Sequence, residues 1–352
     1  MKKKRVFGFA VVFLLLAALI YLQVRTWKRF DWTTFSQQTA DVNWWLVFAA
    51  VGMIYLADAL RALRWAIFLK PVRQVNPTHL LATQYIGFTG LALLGRPGEF
   101  IRPYIIARKL DLSFPSQLAV WIVERLFDTS SVALLLSIVL LFSSSLHALS
   151  AYAGLREGGL ALIALVGFGI AVALLTRRFS VQIADRMEAA LSPRFPHFAN
   201  RMRYKLLSFG EGLKTIHDLP SFAALTAISV SIWLLAGAAY YLVTHAYNAP
   251  ELRSLGFAHS VLLMSASVAG GVLQLPVVGG GSQLLTISML LNVFGIRPDS
   301  PELATSCGIL LWAVTFMSVT PLGLALARHE HLSLRKLEDE SQAVEEELEE
   351  EA

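Results

Sequence analysis

The residues of this chain that could do chemistry are arginines and carboxylates set beside helix-breaking residues in apolar sequence. Residues 95–103 read Gly-Arg-Pro-Gly-Glu-Phe-Ile-Arg-Pro, which places Arg96, Glu99 and Arg102 between two apolar segments. Irregular backbone at membrane depth persists only where it is buried in protein or lines a wet cavity. Because the guanidinium fork matches phosphate oxygens, we predict an anion-binding turn in which Glu99 holds one arginine in place. The alternative is an ordinary cytoplasmic turn whose basic residues meet lipid headgroups.

A second group of charges lies inside a long apolar run. Glu124 and Asp128 are four residues apart and share one helix face, with Arg125 between them. Two carboxylates at membrane depth need cations, and the available partners are Arg125, Arg96 and Arg102. Ionisable residues inside a membrane are functional candidates because their burial is costly. We favour a functional role over the alternative, an ion-pair network that only locks the helices together.

A third group follows the apolar run at residues 44–60. Asp58 and Arg61 are one helical turn apart and are expected to pair, and Arg64 and Trp65 follow directly. Arginine and tryptophan at the end of a span also anchor helices at the membrane interface. We favour interfacial anchoring here and keep Arg61 and Arg64 as secondary binding candidates.

The fourth group is a glycine run between two apolar segments. Residues 274–283 read Gln-Leu-Pro-Val-Val-Gly-Gly-Gly-Ser-Gln. Free N–H groups at the start of the following half-helix could bind an anion, and a hinge for close helix packing is the alternative. The secondary candidates of this stretch are Pro276, Gly279, Gly280, Gly281 and Gln283.

The composition of the chain limits the class of protein in which these four groups occur. The chain has 352 residues, 55% hydrophobic and 16% charged, with mean hydropathy +0.57; soluble domains carry about 25% charged residues. Several apolar runs exceed the roughly 18 residues that mark a membrane-spanning helix. The single cysteine, Cys307, excludes an intrachain disulfide. No metalloprotease, nucleophile-elbow or phosphate-loop motif occurs, so we expect no catalytic residue, metal or cofactor, and no nucleic-acid partner.

We therefore predict an all-α polytopic membrane protein with about six full spans and two re-entrant hairpins of opposite orientation. With both termini in the cytoplasm, 23 of the 30 Lys and Arg residues fall inside and six outside, as the positive-inside rule prefers. Paired interrupted segments of opposite orientation point to a transporter's midplane site. The predicted spans are residues 6–24, 44–60, 117–142, 159–175, 222–245 and 303–327, and the predicted hairpins include residues 79–95 and 257–294.

Two cytoplasmic segments complete the predicted organisation. Residues 1–327 form the transmembrane domain, within which residues 177–220 carry apolar positions at helical spacing and basic opposite faces. Such helices lie flat on an anionic membrane surface; packing on the protein's own loops is the alternative. Residues 328–352, with ten acidic and three basic residues, form an acidic tail that we expect to be disordered.

At these motifs the chain resembles the flippase-like transmembrane domain of lysylphosphatidylglycerol synthases, also found alone in bacteria and archaea. The matching motifs, in order, are residues 61–65, 96–102, 124–128 and 276–281. The resemblance implies movement of lipids or lipid-linked sugars between leaflets of a cytoplasmic membrane, and it implies no catalytic residue. The family usually has a glutamate shortly after the glycine run; Gln283 stands near that place, so no carboxylate role is carried over to it.

These observations lead to one hypothesis and two rivals. We expect a lipid flippase or scramblase whose ligand is a phospholipid or a polyprenyl-phosphate lipid. One rival is a membrane enzyme acting on lipid phosphates or polyprenyl sugars, and the other is an accessory subunit that docks a glycosyltransferase through residues 180–216. The expected headgroup site consists of Arg96, Arg102 and Arg125, arranged by Glu99, Glu124 and Asp128.

Overall fold

A computed structural model describes residues 32–147, 149, 151–192, 219–275, 279–296 and 301–330, with residues 198, 200, 202–204 and 207. The predicted first span at residues 6–24, the secondary candidate Pro276, and the predicted acidic tail beyond residue 330 lie outside the described residues.

The described part of the chain is almost entirely helical. In chain order the helices are α1 (Trp32–Ala40), α2 (Trp44–Leu69), α3 (Pro77–Leu94), α4 (Ile101–Leu110), α5 (Phe114–Phe142), α6 (Ser144–His147), α7 (Tyr152–Leu191), α8 (Leu219–Ala246), α9 (Pro250–Arg253), α10 (Phe257–Gly270), α11 (Gly281–Ser288), α12 (Glu302–Trp312) and α13 (Thr320–His329). Short 3₁₀ turns occupy Arg96–Phe100 and Gly271–Leu273, and π-helical turns extend α11 over Met289–Val293 and α12 over Ala313–Met317. The strands β1 (Gln274–Leu275) and β2 (Gly279–Gly280) pair antiparallel.

Four helices are long and apolar enough to cross a membrane by length and composition. They are Trp44–Leu69, Phe114–Phe142, Pro220–Ala246 and Glu302–His329, the last being α12 and α13 together. They correspond to four of the six predicted spans. Large apolar side chains remain exposed along their sides, as the 83% exposure of Trp45 and the 64% exposure of Phe48 on α2 illustrate. A bilayer would cover such surfaces.

The predicted span at residues 159–175 lies within a longer helix than expected. Helix α7 runs without interruption to Leu191, because neither glycine nor proline occurs between Gly169 and Pro193. The first part of the predicted amphipathic segment at residues 177–220, up to Leu191, is therefore continuous with the helix that contains the predicted span. Near the end of α7, Arg203 pairs with Asp185 and Glu188 at 3.2 and 3.0 Å. Both sides of this contact lie within the predicted amphipathic segment at residues 177–220.

Helices α3 and α4 form a helical hairpin. Asn76 caps the start of α3 by accepting from the Thr78 N–H at 3.1 Å, and Gly95, with φ of 71°, ends it. At the open end of the hairpin, Lys109 Nζ donates to Thr83 Oγ1 at 3.3 Å. At its closed end Gly98 packs directly on the backbone of α3, where a Cβ atom would overlap the Gly90 carbonyl. The glycines therefore permit the close approach of the two helices.

Helices α10 and α11 form a second hairpin, in which a glycine again packs on the backbone of the partner helix. At its open end the rings of His259 and Phe294 lie 5.3 Å apart. At its closed end Gly270 packs on the backbone of Gly281, next to the β1–β2 pair. The two interrupted regions found in the sequence are thus both pairs of short helices that meet at glycines near their tips.

Neighbouring glycines at the second tip allow a matched test of this packing. A Cβ atom on Gly270 would lie 2.9 Å from the Ser282 Cα and closer still to the Gly281 carbonyl, whereas one on Gly271 would meet open space. We expect Gly270→Ala to lower the free energy of unfolding by about 1–3 kcal/mol through overpacking, and Gly271→Ala to change it by less than about 0.5 kcal/mol. Thermal unfolding of the purified protein in detergent measures both. Equal losses would contradict the hairpin packing.

The central pair of the fold is α2 packed along α8. Their shared core includes Ala50 and Ile54 from α2 and Ala239 and Val243 from α8, all buried. Helix α3 packs on α2 and on α13, while α10 packs on α8. Both hairpins are therefore held against the same central pair.

Candidate functional site

Arg64 is the centre of a buried ion-pair cluster. Its Nη2 donates to Glu124 Oε1 at 2.6 Å, and its Nη1 donates to Asp128 Oδ1 at 2.7 Å and to Ser229 Oγ at 2.8 Å. The Arg64 and Glu124 side chains are fully buried. One guanidinium group thereby joins α2, α5 and α8.

Arg102 supplies a second cation to the same carboxylate. It forms an ion pair with Glu124, donates to Gln84 Oε1 at 2.7 Å, and its guanidinium carbon lies 4.4 Å from the ring centroid of Trp65. Only 5% of Arg102 is exposed. This contact ties the first hairpin to α2 and α5, and the pairing of Glu124 with Arg102 is confirmed.

Arg125 completes the cluster from a more open position. Its Nη2 lies 2.9 Å from Asp128 Oδ2 and 3.7 Å from Glu124 Oε2, while 36% of its side chain stays exposed. The Trp233 indole N–H also donates to Asp128, at 3.1 Å. Together with Arg64 and Arg102, three arginines face two carboxylates, so the cluster carries one net positive charge.

Asp58 and Arg61 form a separate pair one turn before Arg64. Arg61 Nη1 donates to Asp58 Oδ1 at 3.0 Å, which confirms the predicted pairing. The Arg61 guanidinium carbon lies 5.0 Å from the ring of Phe88 and 5.8 Å from that of Trp233. Arg61 and Arg64 are both buried inside the protein, so the favoured interpretation of interfacial anchoring is wrong. Partners on α3, α5 and α8 enclose them.

Arg96 joins the tips of the two hairpins. It pairs with Glu99 in its own tip, as predicted, and its Nη2 donates to the Gly271 carbonyl of the other tip at 2.5 Å. Its side chain is 46% exposed. The two interrupted regions, 175 residues apart in sequence, therefore meet at a hydrogen bond that a competing anion could displace.

A cavity of about 170 Å³ lies between the tips and the central helices. Three arginines and two carboxylates line one part of it, which gives this lining one net positive charge. Apolar side chains line the rest, and three hydroxyl-bearing residues lie among them. The charged residues are Asp58, Arg61, Arg96, Glu99 and Arg125; the apolar ones include Ile54, Leu91, Met264, Val268 and Phe316; the hydroxyl-bearing ones are Tyr240, Ser267 and Thr315.

The structure divides the expected headgroup residues into two sets. Arg96, Glu99 and Arg125 line the cavity, whereas Arg102, Glu124 and Asp128 form the buried ion pairs behind it. Of the secondary candidates, Arg61 joins the cavity and Arg64 joins the ion-pair cluster. Gly279, Gly280, Gly281 and Gln283 belong to the second hairpin and are not among the lining residues.

Sequence reasoning missed the aromatic and hydroxyl-bearing residues of the site and the central position of Arg64. A signal for Arg64 was present, since an arginine three residues after the Asp58–Arg61 pair shares a helix face with Arg61. Nothing in the sequence marks Trp233 or Tyr240, which lie in an ordinary apolar helix.

Two guanidinium groups of the cavity lining are incompletely paired. Within the described ranges, the Nε atoms of Arg61 and Arg125 are buried without a hydrogen-bond partner. Buried polar atoms without partners are costly and uncommon, and a phosphate presents oxygen acceptors that suit such donors. No group of three His, Cys, Asp or Glu side chains that could hold a metal ion occurs in this part of the chain. The arrangement is therefore suited to binding an anion.

Comparison with known proteins gives one match. The family model described as the lysylphosphatidylglycerol synthase TM region matches residues 5–323. The comparisons with curated proteins and with solved structures give no match.

Proposed function

The chain belongs to the lysylphosphatidylglycerol synthase transmembrane-region family, and on this premise we propose that it moves an anionic lipid between membrane leaflets. It is a multi-pass membrane protein, and we propose the bacterial or archaeal cytoplasmic membrane as its location. The observation that carries the proposal is the cavity, which combines a basic charged lining with an apolar one. An anionic headgroup complements the basic part of this lining, and the uncharged groups next to the phosphate can contact the apolar part.

The charges of the lining favour a singly charged phosphate. Arg61, Arg96 and Arg125 offer donors to phosphate oxygens, and the net charge of one matches a phosphodiester. The volume of about 170 Å³ is below the roughly 300–1,000 Å³ of pockets that enclose a whole drug-sized ligand. We therefore propose that the headgroup alone enters the cavity while the chains stay in the bilayer. Phospholipids with one phosphodiester and polyprenyl-phosphate sugars, which are also phosphodiesters, both fit this description.

The two hairpins supply the path between leaflets in this proposal. Each enters the membrane from a different side, so their meeting tips would separate the two openings of the cavity. The bond from Arg96 to the Gly271 carbonyl would hold the tips closed, and a phosphate competing for Arg96 would release them. Alternating access around a fixed midplane site is the usual outcome of such interrupted segments.

Reconstituted liposomes test this proposal against its rivals. The full chain is reconstituted with fluorescent phosphatidylglycerol or with a fluorescent polyprenyl phosphate. Translocation is read by dithionite quenching and conversion by mass spectrometry. We expect the protein to accelerate quenching of the probe that starts in the inner leaflet, and we expect no chemical conversion of the probe. Conversion of either probe would favour a membrane enzyme. The absence of both translocation and conversion would favour an accessory subunit that needs a partner.

Cysteine labelling tests the proposed orientation. In a Cys307→Ser background, cysteines at Lys109 and Ser254 provide a matched pair, because both positions are exposed and lie near opposite hairpins. A membrane-impermeant maleimide added to whole cells should label position 254 and spare position 109, which is expected to be cytoplasmic under the positive-inside rule. Labelling of position 109 from outside would refute the two-hairpin arrangement.

A further inference from the structure

Asp58 is the carboxylate of the cavity with the least complete set of partners. It is fully buried, and its Oδ1 accepts from Arg61 at 3.0 Å. Its Oδ2 is buried and forms no hydrogen bond of standard geometry within the described residues; the Gln84 side chain, whose Nε2 is in the same state, interacts with this carboxylate. A protonated carboxyl group gains one donor. Oδ2 is therefore the less strongly held of the two carboxylate oxygens, and it is the one at which a proton would bind.

Binding of an anion would bring a second negative charge next to this carboxylate. A phosphate that accepts from Arg61 takes the donor that Asp58 now uses, and two anions this close repel each other strongly at low dielectric. When two acidic groups share one site, one of them tends to hold a proton. Ligand binding and protonation of Asp58 are thus expected to favour each other.

Burial of Asp58 favours its neutral form, whereas its charged neighbours act against protonation. Arg61 on α2 and Arg102 on α4 both interact with it electrostatically, and the cavity adds Arg96 and Arg125 against the single acid Glu99. An arriving phosphate would offset these positive charges and thereby favour the proton. The other polar or titratable groups facing Asp58 or lining the same cavity are Tyr55 on α2, Gln84 and Tyr85 on α3, and Trp233 and Tyr240 on α8.

We propose that Asp58 binds one proton when the anionic headgroup enters the cavity and releases it when the headgroup leaves, so that lipid movement is coupled to protons. Asp58 Oδ2 takes up one proton from the buffered bulk solvent, and Arg61 Nη1 turns from Oδ1 to a phosphate oxygen. The bound proton removes the repulsion between the phosphate and this carboxylate. This inference rests on the proposed function, because it needs an anionic ligand in the same cavity.

Calorimetry tests the proposal without a transport assay. The purified full chain in detergent is titrated with lyso-phosphatidylglycerol in two buffers of different ionisation enthalpy, which gives the number of protons bound per ligand. We expect about one proton for the wild type at neutral pH, with affinity falling by up to about tenfold per pH unit as pH rises. Asp58→Asn should bind with no proton uptake. Asp111→Asn, the same change at an exposed position outside the cavity, should behave as the wild type.

Each result decides between distinct claims. Binding by the wild type without proton uptake would overturn the coupling and leave the proposed function intact. Proton uptake that persists in Asp58→Asn would overturn the assignment to this residue. No binding by the wild type would overturn the headgroup site, and the coupling with it. The wild-type proton count needs no substitution, so poor folding of the Asp58 variant would not prevent the decision.

Discussion

Arg64→Gln is expected to lower the free energy of unfolding by about 3–5 kcal/mol, the usual cost of removing one partner from a buried ion pair. Arg64 donates to both Glu124 and Asp128, and its side chain and that of Glu124 are fully buried. Glutamine cannot supply a positive charge to either carboxylate. Arg102 and Arg125 would remain, so the cluster would change from one net positive charge to none while Asp128 loses its closest cation.

The measurement is thermal unfolding in detergent, monitored by the fraction of protein that stays monodisperse. The control is Arg156→Gln, the same substitution at an exposed position on α7, which should change the unfolding free energy by less than about 0.5 kcal/mol. An Arg64 variant as stable as this control would mean that the cluster does not hold the helices together.

Arg125→Lys is expected to reduce lipid movement about 10–100-fold while the protein stays folded. Arg125 lines the cavity with 36% of its side chain exposed, and lysine keeps the positive charge beside Asp128. Lysine lacks the bidentate fork, and the loss of one hydrogen bond to a charged group costs about 1.5–3 kcal/mol, or about 10–100-fold. The effect should therefore fall on the headgroup rather than on the fold.

Arg102→Lys is the informative comparison for this variant. Arg102 is 5% exposed, contacts Glu124 and Gln84, and is absent from the cavity lining. We expect Arg102→Lys to lower the thermal stability of the protein more than Arg125→Lys does. The two variants are compared by liposome translocation and by thermal unfolding of the same preparations. If Arg102→Lys lost translocation at wild-type stability while Arg125→Lys transported normally, the headgroup would contact Arg102, and the division between cavity and ion-pair cluster would be wrong.

Sequence alone determined the features that depend on residues close together in the chain. Apolar runs of about 17 to 26 residues predicted four of the spans, and clustered glycines and prolines located the two hairpin tips. The Arg61–Asp58 and Arg96–Glu99 pairs were also predictable, since residues three apart on a helix are neighbours whatever the rest of the chain does. The family could be identified from the order of these same motifs.

Tertiary structure alone decided which arginine meets which partner. Arg64 contacts Glu124 across 60 residues, and Arg96 meets Gly271 across 175. Arg102 follows a glycine- and proline-rich turn and Arg125 lies inside an apolar run. Neither context shows that Arg102 is enclosed by ion pairs while Arg125 lines the cavity. Only the packing of α2, α5, α8 and the two hairpins against one another determines which guanidinium groups face carboxylates and which keep donors free for a ligand.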